Sequence, residues 1–289
     1  MGTSSSSDGS PSNVPIYPPW TPPPLPPDPA DDDPGGDDHE SGNGDDGSDQ
    51  DGQPQSPAQA DPGPIAPSGR FMPARLHLGR FANTGSRASL RRGLGHYIDK
   101  GLQGSSTAAG RFRGTTRNAG ALYQTLSTIA SGDAPPGSPL DRTLLAGKSA
   151  HQVMAAIIEA ARPVDGTQDA EAARDAMQRA LSAMLEQFPN ADLLNLSEDE
   201  RMFAIERYLA LDVFNRAYLD LGRAIMENAL SVASAVSRMK EIRDYIRETV
   251  AAQFRRLRTQ GQALTARIVA RLAGQALSEA CQVFQVNAT

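Results

Sequence analysis

The longest stretch of this sequence without proline lies at its C-terminal end. Pro189 is the last proline, and the one hundred residues after it contain glycine only at positions 222, 261 and 274. Proline and glycine are the residues that most disfavour a helix interior, so this stretch permits long helices. Its apolar residues recur at the helical period: Met239, Ile242, Ile246, Val250 and Leu257, then Leu264, Ile268, Leu272, Ala276 and Val283.

The part of the chain before Pro189 shows the same period, interrupted by short loops. Two capping boxes mark predicted helix starts, Ser149 with Gln152 and Ser197 with Glu200. Convincing strand alternation is missing throughout the sequence. We therefore predict an all-α fold in which residues 118–289 form a helical bundle with long C-terminal helices.

The N-terminal arm, residues 1–69, differs sharply from this bundle in composition. It contains 13 acidic residues and neither lysine nor arginine, and it is rich in Pro, Gly, Asp and Ser. Such a segment buries too little apolar surface to offset the entropy lost on ordering its backbone. The composition predicts a disordered acidic arm.

The segment from residue 70 to residue 117 is basic and rich in glycine. It has ten basic residues against one acid, Asp99. Apolar residues four positions apart predict that part of it is helical despite the glycines: Leu90, Leu94, Ile98 and Leu102. These glycines could let another helix, or a nucleic-acid backbone, approach closely.

The basic segment is also a candidate nucleic-acid-binding site. Phosphate contact by arginine, combined with base stacking on Phe71, Phe81, Tyr97 or Phe112, is one possible interpretation. A partner-docking surface and a site covered by the acidic arm are the alternatives, because charge alone is not specific. The arginines considered are Arg87, Arg91, Arg92, Arg111, Arg113 and Arg117.

The sequence contains no recognisable constellation of catalytic or metal-binding residues. A single cysteine, Cys281, excludes an intrachain disulfide and a cysteine-rich zinc site. The four histidines (positions 39, 77, 96 and 151) do not stand at metal-ligand spacing from another ligand. Gly147-Lys148-Ser149 resembles the end of a phosphate-binding loop, but Arg142 stands where that motif needs glycine. We expect no metal, no cofactor and no enzymatic activity.

No apolar run is long enough to span a bilayer, and the N-terminus does not resemble a secretory signal. We therefore expect no membrane association and a cytoplasmic location.

The first residues have one notable feature: removal of Met1 would expose the unhindered amine of Gly2. One interpretation is that this amine is a site of chemical modification. Met1-Gly2 followed by Ser6 also fits the N-myristoylation pattern. The remaining interpretation is an ordinary disordered N-terminus without a special role.

Four short segments are distinctive when taken together: Met1-Gly2-Thr3-Ser4-Ser5-Ser6, Val14-Pro15 to Trp20, Gly104-Ser105-Ser106 and Ala119-Gly120-Ala121-Leu122-Tyr123. The first two are followed by a Pro/Asp/Gly arm, the third lies in the basic segment, and the fourth follows it. In this layout the chain resembles the QatB family, a component of the bacterial Qat anti-phage defence cassette.

The resemblance implies a function for the N-terminus that composition does not show. The Qat cassette also encodes an ATPase, a QueC-like enzyme and a TatD-like nuclease, which are the implied partners. QueC enzymes make a 7-deazaguanine nitrile, so the QueC-like partner would join a 7-deazaguanine to the Gly2 amine through an amide bond. Recognition would involve Thr3, Ser4, Ser5 and Ser6, with Tyr17 and Trp20 as further anchors.

Under this hypothesis the helical body is not an enzyme and serves to dock the partner. A nucleic-acid-binding adaptor that uses residues 70–117 is the first alternative. A scaffold that assembles partners through exposed helix faces is the second. Stoichiometry, the phage trigger and the downstream target cannot be read from the sequence.

Overall fold

The computed structural model describes residues 69–258 and 263–288, all within one compact unit. No strand occurs in these two ranges, so the prediction of an all-α fold is confirmed for them. The ten helices of the described ranges are α1 (Met72–Thr84), α2 (Arg87–His96), α3 (Ser105–Arg111), α4 (Arg113–Ser131), α5 (Arg142–Leu145), α6 (Ala150–Ala161), α7 (Gln168–Gln187), α8 (Glu198–Asn228), α9 (Val232–Leu257) and α10 (Ala266–Val286).

The predicted disordered arm lies outside the described residues, apart from Gly69. The basic segment 70–117, in contrast, is described completely and is mostly helical. It forms α1, α2, one π-helical turn (Tyr97–Gly101), α3 and the start of α4. The apolar residues that predicted its helix are all buried: Leu90, Leu94, Ile98 and Leu102. The predicted helix ends earlier than expected, because Leu102 lies just after the π-helical turn.

The 31-residue helix α8 is the central element of the bundle. It packs against α1, α4, α7 and α9 and buries residues on several faces, among them Tyr208, Leu209 and Val213. Its N-terminus carries the predicted capping box, in which the Ser197 hydroxyl accepts from the Glu200 backbone N–H. The box at Ser149 is formed in the same way.

The break between α8 and α9 lies where neither glycine nor proline marks it. Gly222 lies inside α8, and the helix ends at Asn228. The next helix begins at a third capping box, in which the Ser231 hydroxyl accepts from the Ser234 backbone N–H. Sequence reasoning missed this box, because serine at its third position replaces the usual Glu or Gln.

The helical period read from the sequence of α10 is confirmed, but not all of its residues lie on the buried face. Leu272 and Ala276 are buried, whereas Val283 is 41% exposed and Phe284 is buried beside it. The preceding buried residues Ala273, Leu277 and Ala280 lead to Phe284 at spacings of three and four residues.

Gly120 lies at a close contact between two helices. It is buried in α4 where α4 packs on α10, and a Cβ atom built there would lie 2.9 Å from the Ala266 carbonyl oxygen. The missing side chain therefore lets the two helices approach closely. Of the two close neighbours considered for the glycines, another helix or a nucleic-acid backbone, Gly120 has the first.

Candidate functional site

The six arginines proposed for nucleic-acid binding are all exposed. Three lie on α2, and the others lie around the junction of α3 and α4. Within the described residues, none of the six forms an ion pair with a carboxylate. They are Arg87, Arg91, Arg92, Arg111, Arg113 and Arg117.

The aromatic rings of this segment are not available for base stacking in the predicted way. Phe81, Tyr97 and Phe112 are at most 3% exposed and belong to the hydrophobic core. Phe71 is half-buried, stacks on Tyr97, and has the Arg70 guanidinium 4.6 Å from its ring centroid. The interpretation that these rings stack on bases is therefore wrong for the three buried ones, because the apolar rings supply core packing between helices.

Acidic residues of α9 lie beside part of the arginine set. Arg87 and Arg91 line a groove of about 340 Å³ together with Glu241, Asp244 and Glu248. These carboxylates lower the positive potential over the α2 arginines. The arginines at the α3–α4 junction do not line this groove.

Polar contacts fasten the basic segment to α8 and α10. The Tyr97 hydroxyl donates to Asp220 Oδ2 at 2.9 Å, and burial together with the Asp220 charge raises the pKa of Tyr97 well above its usual value. Gln285 of α10 accepts from the Ser105 backbone N–H and donates to Asp99. The hydrogen bonds of Asp99 with Lys100 and Gln285 lower the pKa of the Asp99 carboxyl.

A buried polar network joins α4, α7 and α8. Asp212 is fully buried and accepts a 2.5 Å hydrogen bond from the Thr115 hydroxyl. It also accepts from Arg216 Nε at 3.1 Å, and Arg216 pairs in turn with Asp169 at 3.0 Å. These pairs raise the pKa of Arg216 against the effect of its burial. Both hydrogen bonds go to Asp212 Oδ2, and Oδ1 is buried without a hydrogen-bond partner among the described residues. The network therefore links three helices through one oxygen of this carboxylate.

Two histidines that are far apart in sequence meet in the structure. His77 of α1 stacks on His96 of α2, with 5.1 Å between ring centroids. Burial, the His96 charge, and Arg80 and Arg92 lower the pKa of His77. The sequence spacing of these two histidines did not reveal this contact. No group of three His, Cys, Asp or Glu side chains that could hold a metal occurs in the part of the chain described.

The cysteine and the phosphate-loop-like segment have structural positions. Cys281 is buried in α10, and burial raises the pKa of its thiol to about 12, far above the range of a reactive thiolate. Lys148 lies in the turn before α6, and Ser149 is the N-cap of that helix. The interpretation of Gly147-Lys148-Ser149 as a loop followed by a helix cap is confirmed.

Sequence reasoning missed an arginine-lined cavity of about 660 Å³ between α7, α8 and α9. Its arginines are Arg179 of α7, Arg207 of α8, and Arg243 and Arg247 of α9. The sequence showed only that Arg243 and Arg247 are four positions apart, a spacing that places them on one face of a helix. The cavity lies in a part of the chain whose overall charge is nearly balanced, so composition did not reveal it.

The residues on which the modification hypothesis depends lie outside the described ranges. This holds for the acceptor Gly2 and for the proposed recognition residues, which are Thr3, Ser4, Ser5, Ser6, Tyr17 and Trp20. Among the helices described, none is both long and apolar enough to cross a membrane.

The described residues thus form a helical bundle with exposed arginines on α2 and at the α3–α4 junction and with an arginine-lined cavity between α7, α8 and α9. The family model described as Qat anti-phage system associated protein QatB matches residues 103–284, which is more than half of the chain, and the chain belongs to this family. It is therefore an anti-phage defence component, and Qat membership implies other components of the cassette as its partners. No curated protein and no solved structure matches it.

Proposed function

We propose that this protein is a non-enzymatic defence component whose Gly2 amine is joined to a 7-deazaguanine by a QueC-like partner. The match of residues 103–284 to the QatB family carries this proposal. The matched region covers most of the helical body from α3 to α10, and the body would dock the partner enzyme. The N-terminal strip Gly2 to Ser6 would enter the active site of that enzyme.

The chemistry of the N-terminus supports this role. In the proposed step the partner activates a 7-deazaguanine carboxyl group with ATP, the Gly2 amine attacks the activated carbonyl carbon, AMP leaves, and the amine proton passes to solvent. The attack needs an unprotonated amine, and an α-amino group with a pKa of about 7.7–8.0 supplies a useful neutral fraction near pH 7.5. Glycine presents this amine without a side chain, and Thr3, Ser4 and Ser5 are small enough for a narrow channel. Docking of the helical body would raise the effective concentration of the N-terminus at the active site.

Intact-mass spectrometry of the protein co-expressed with its whole cassette tests the proposal. We expect a species heavier by one 7-deazaguanine acyl group, with fragment spectra that place the added mass on Gly2. An unmodified Gly2 in cells that resist phage would contradict the proposal.

A deletion pair tests whether the N-terminal strip matters for defence. Removal of residues 2–12 should abolish both modification and phage resistance. Removal of residues 41–51, which has the same length and lies in the acidic part of the arm, is the matched control and should preserve both. Full resistance after the first deletion would favour a scaffold that acts through its helix faces.

The exposed and unpaired arginines of residues 70–117 favour a second function, nucleic-acid binding by an adaptor. Neutralising each phosphate-contacting arginine should weaken binding on all sequences and reduce the salt slope by about one. Because Arg87 and Arg91 face acidic residues of α9, we expect the α3–α4 junction to contribute more.

Gel-shift titration over a salt series compares two triple variants. Arg111→Gln, Arg113→Gln and Arg117→Gln together should weaken binding more than Arg87→Gln, Arg91→Gln and Arg92→Gln together. Binding that is absent or independent of salt in the unmodified protein would reject this second function.

A further inference from the structure

The cavity between α7, α8 and α9 has the size of a small-molecule site. Its volume of about 660 Å³ falls within the roughly 300–1,000 Å³ that is usual for ligand pockets. The wall combines four arginines with polar Gln178, Gln187 and Ser182 and with apolar Ala183, Ala210 and Leu211. A mixed wall of this kind can hold a ligand that has both a charged and a less polar part.

Positive charge exceeds negative charge around the cavity. Two carboxylates line it, Asp175 and Glu186, and Asp175 is already paired with Arg179 at 3.0 Å. Arg247 is paired with Asp244 at 3.0 Å. Among the described residues, Arg207 and Arg243 have neither a hydrogen bond nor an ion pair. Two guanidinium groups of the wall therefore remain without an anionic partner.

Arg207 is the more constrained of these two arginines. It is half-buried, its guanidinium carbon lies 4.8 Å from the Phe203 ring centroid, and its Nε is buried without a hydrogen-bond partner. Burial and the neighbouring Arg247 charge lower the pKa of Arg207. The adjacent Glu206 forms an ion pair with Arg255 at 3.3 Å. Both residues line a second, neighbouring cavity, whose wall also includes Arg207 and Arg247.

A buried donor without a partner is costly, and the nearby positive charge of Arg247 is unfavourable for the Arg207 guanidinium. Arg243 lines the same cavity without an anionic partner. An anion with several oxygens would contact more than one of these guanidinium groups, since the guanidinium fork matches phosphate oxygens. The ring of Phe203 already holds the Arg207 guanidinium in place, so less side-chain entropy is lost when an anion binds.

From this arrangement we infer that the cavity between α7, α8 and α9 binds a phosphate-bearing small molecule of nucleotide size. Arg207 and Arg243 contact the phosphate oxygens, and Arg179 and Arg247 add positive charge at the rim. The apolar side formed by Ala183, Ala210 and Leu211 accommodates the less polar part of the ligand. This inference is independent of the Gly2 proposal, because it concerns the helical body and needs no modification of the N-terminus.

Isothermal titration calorimetry of the full chain with ATP as the probe tests the inference. We expect saturable binding by ATP, weaker binding by pyrophosphate, and none by adenosine at the same concentrations. Arg243→Gln should weaken ATP binding by about tenfold, the effect of losing one charge-assisted hydrogen bond. Arg207→Gln should weaken it at least as much.

Two further variants separate loss of the site from loss of the fold. Ser182→Glu places a carboxylate in the cavity wall while keeping all four arginines. Because this carboxylate repels phosphate, the variant should abolish ATP binding. Arg223→Gln removes an exposed α8 arginine that pairs with Glu227 outside the cavity, and it should bind ATP like the unmodified protein. Circular dichroism confirms that each variant is folded.

The absence of ATP binding by the unmodified protein at millimolar concentration would overturn the inference. So would equal binding by adenosine, since it would remove the role of phosphate. Unchanged affinity in folded Arg243→Gln and Ser182→Glu variants would place any bound ATP elsewhere on the protein.

Discussion

Asp212 is the most deeply buried charged residue of the bundle, and its partners come from two helices. Thr115 of α4 donates a hydrogen bond to it, and Arg216 lies one turn further along α8. A buried carboxylate is tolerated only when it is well paired. Sequence reasoning assigned no role to Asp212, since a single acid in an amphipathic helix does not reveal its burial.

We expect Asp212→Ala to destabilise the protein by about 3 kcal/mol, because the partly buried Arg216 loses its internal partner. Urea unfolding followed by circular dichroism measures this change. Glu227→Ala, which breaks an exposed pair with Arg223 on the same helix, is the control and should leave the midpoint unchanged. Equal midpoints for the two variants would show that the Asp212 network contributes nothing.

The His77–His96 contact predicts a pH effect on stability. Because the pKa of His77 is lowered from its ordinary value of 6.5, the unfolded chain binds a proton at His77 more readily than the folded one. Stability should therefore fall as the pH drops from about 7.5 to about 5.

The variant His77→Gln should lose less stability than the unmodified protein over this interval. Urea midpoints at the two pH values give the comparison. His151→Gln, an exposed substitution on α6, is the control and should keep the full pH dependence. A His77→Gln variant with unchanged pH dependence would mean that His77 does not cause the loss of stability at low pH.

At the scale of elements, the close contact between α4 and α10 depends on a glycine. A methyl group at position 120 would meet the Ala266 carbonyl oxygen at 2.9 Å and the Ala270 Cβ at 3.1 Å. Backbone atoms of a packed helix cannot move aside as easily as a flexible side chain. Substitution here should therefore force the two helices apart.

We expect Gly120→Ala to lower the free energy of unfolding by about 1–3 kcal/mol, the usual cost of overpacking. Gly110→Ala in α3 is the matched control, because a Cβ there meets no atom within 4 Å. That variant should be neutral or stabilising by up to about 1 kcal/mol, owing to the better helix propensity of alanine. Thermal unfolding distinguishes them, and stabilisation by both would contradict a close α4–α10 contact.

At the scale of the whole molecule, the basic segment and the later helices share one hydrophobic core. Phe81 and Leu94 from the basic segment belong to the same buried cluster as Tyr208 of α8 and Phe254 of α9. The boundary at residue 117 was predicted from charge, and charge does not report which apolar residues pack together. Residues 70–117 form a separate domain only if they unfold independently of the later helices.

We expect a single cooperative unfolding transition for residues 70–289, because α1 and α2 cannot keep their buried faces without α8. Urea unfolding followed by far-ultraviolet circular dichroism and by tyrosine fluorescence should give coincident curves. An earlier transition confined to the basic segment would show that this segment is a separate domain.

The sequence by itself determined the helical class, two of the capping boxes and the family. Helical period and N-cap chemistry are local properties, which explains why Ser149 and Ser197 were identified correctly. Local patterns also separated the acidic arm from the basic segment. They could not place Val283, since the face that α10 buries depends on the helices against which it packs.

Only the tertiary structure decided which side chains of different helices meet. It brought Arg207 and Arg243 together beside a cavity, paired His77 with His96, and buried the rings of Phe81, Tyr97 and Phe112. Such contacts depend on the crossing angles and relative positions of packed helices, and these follow from the sum of many weak interactions along the chain. No single stretch of sequence carries that information.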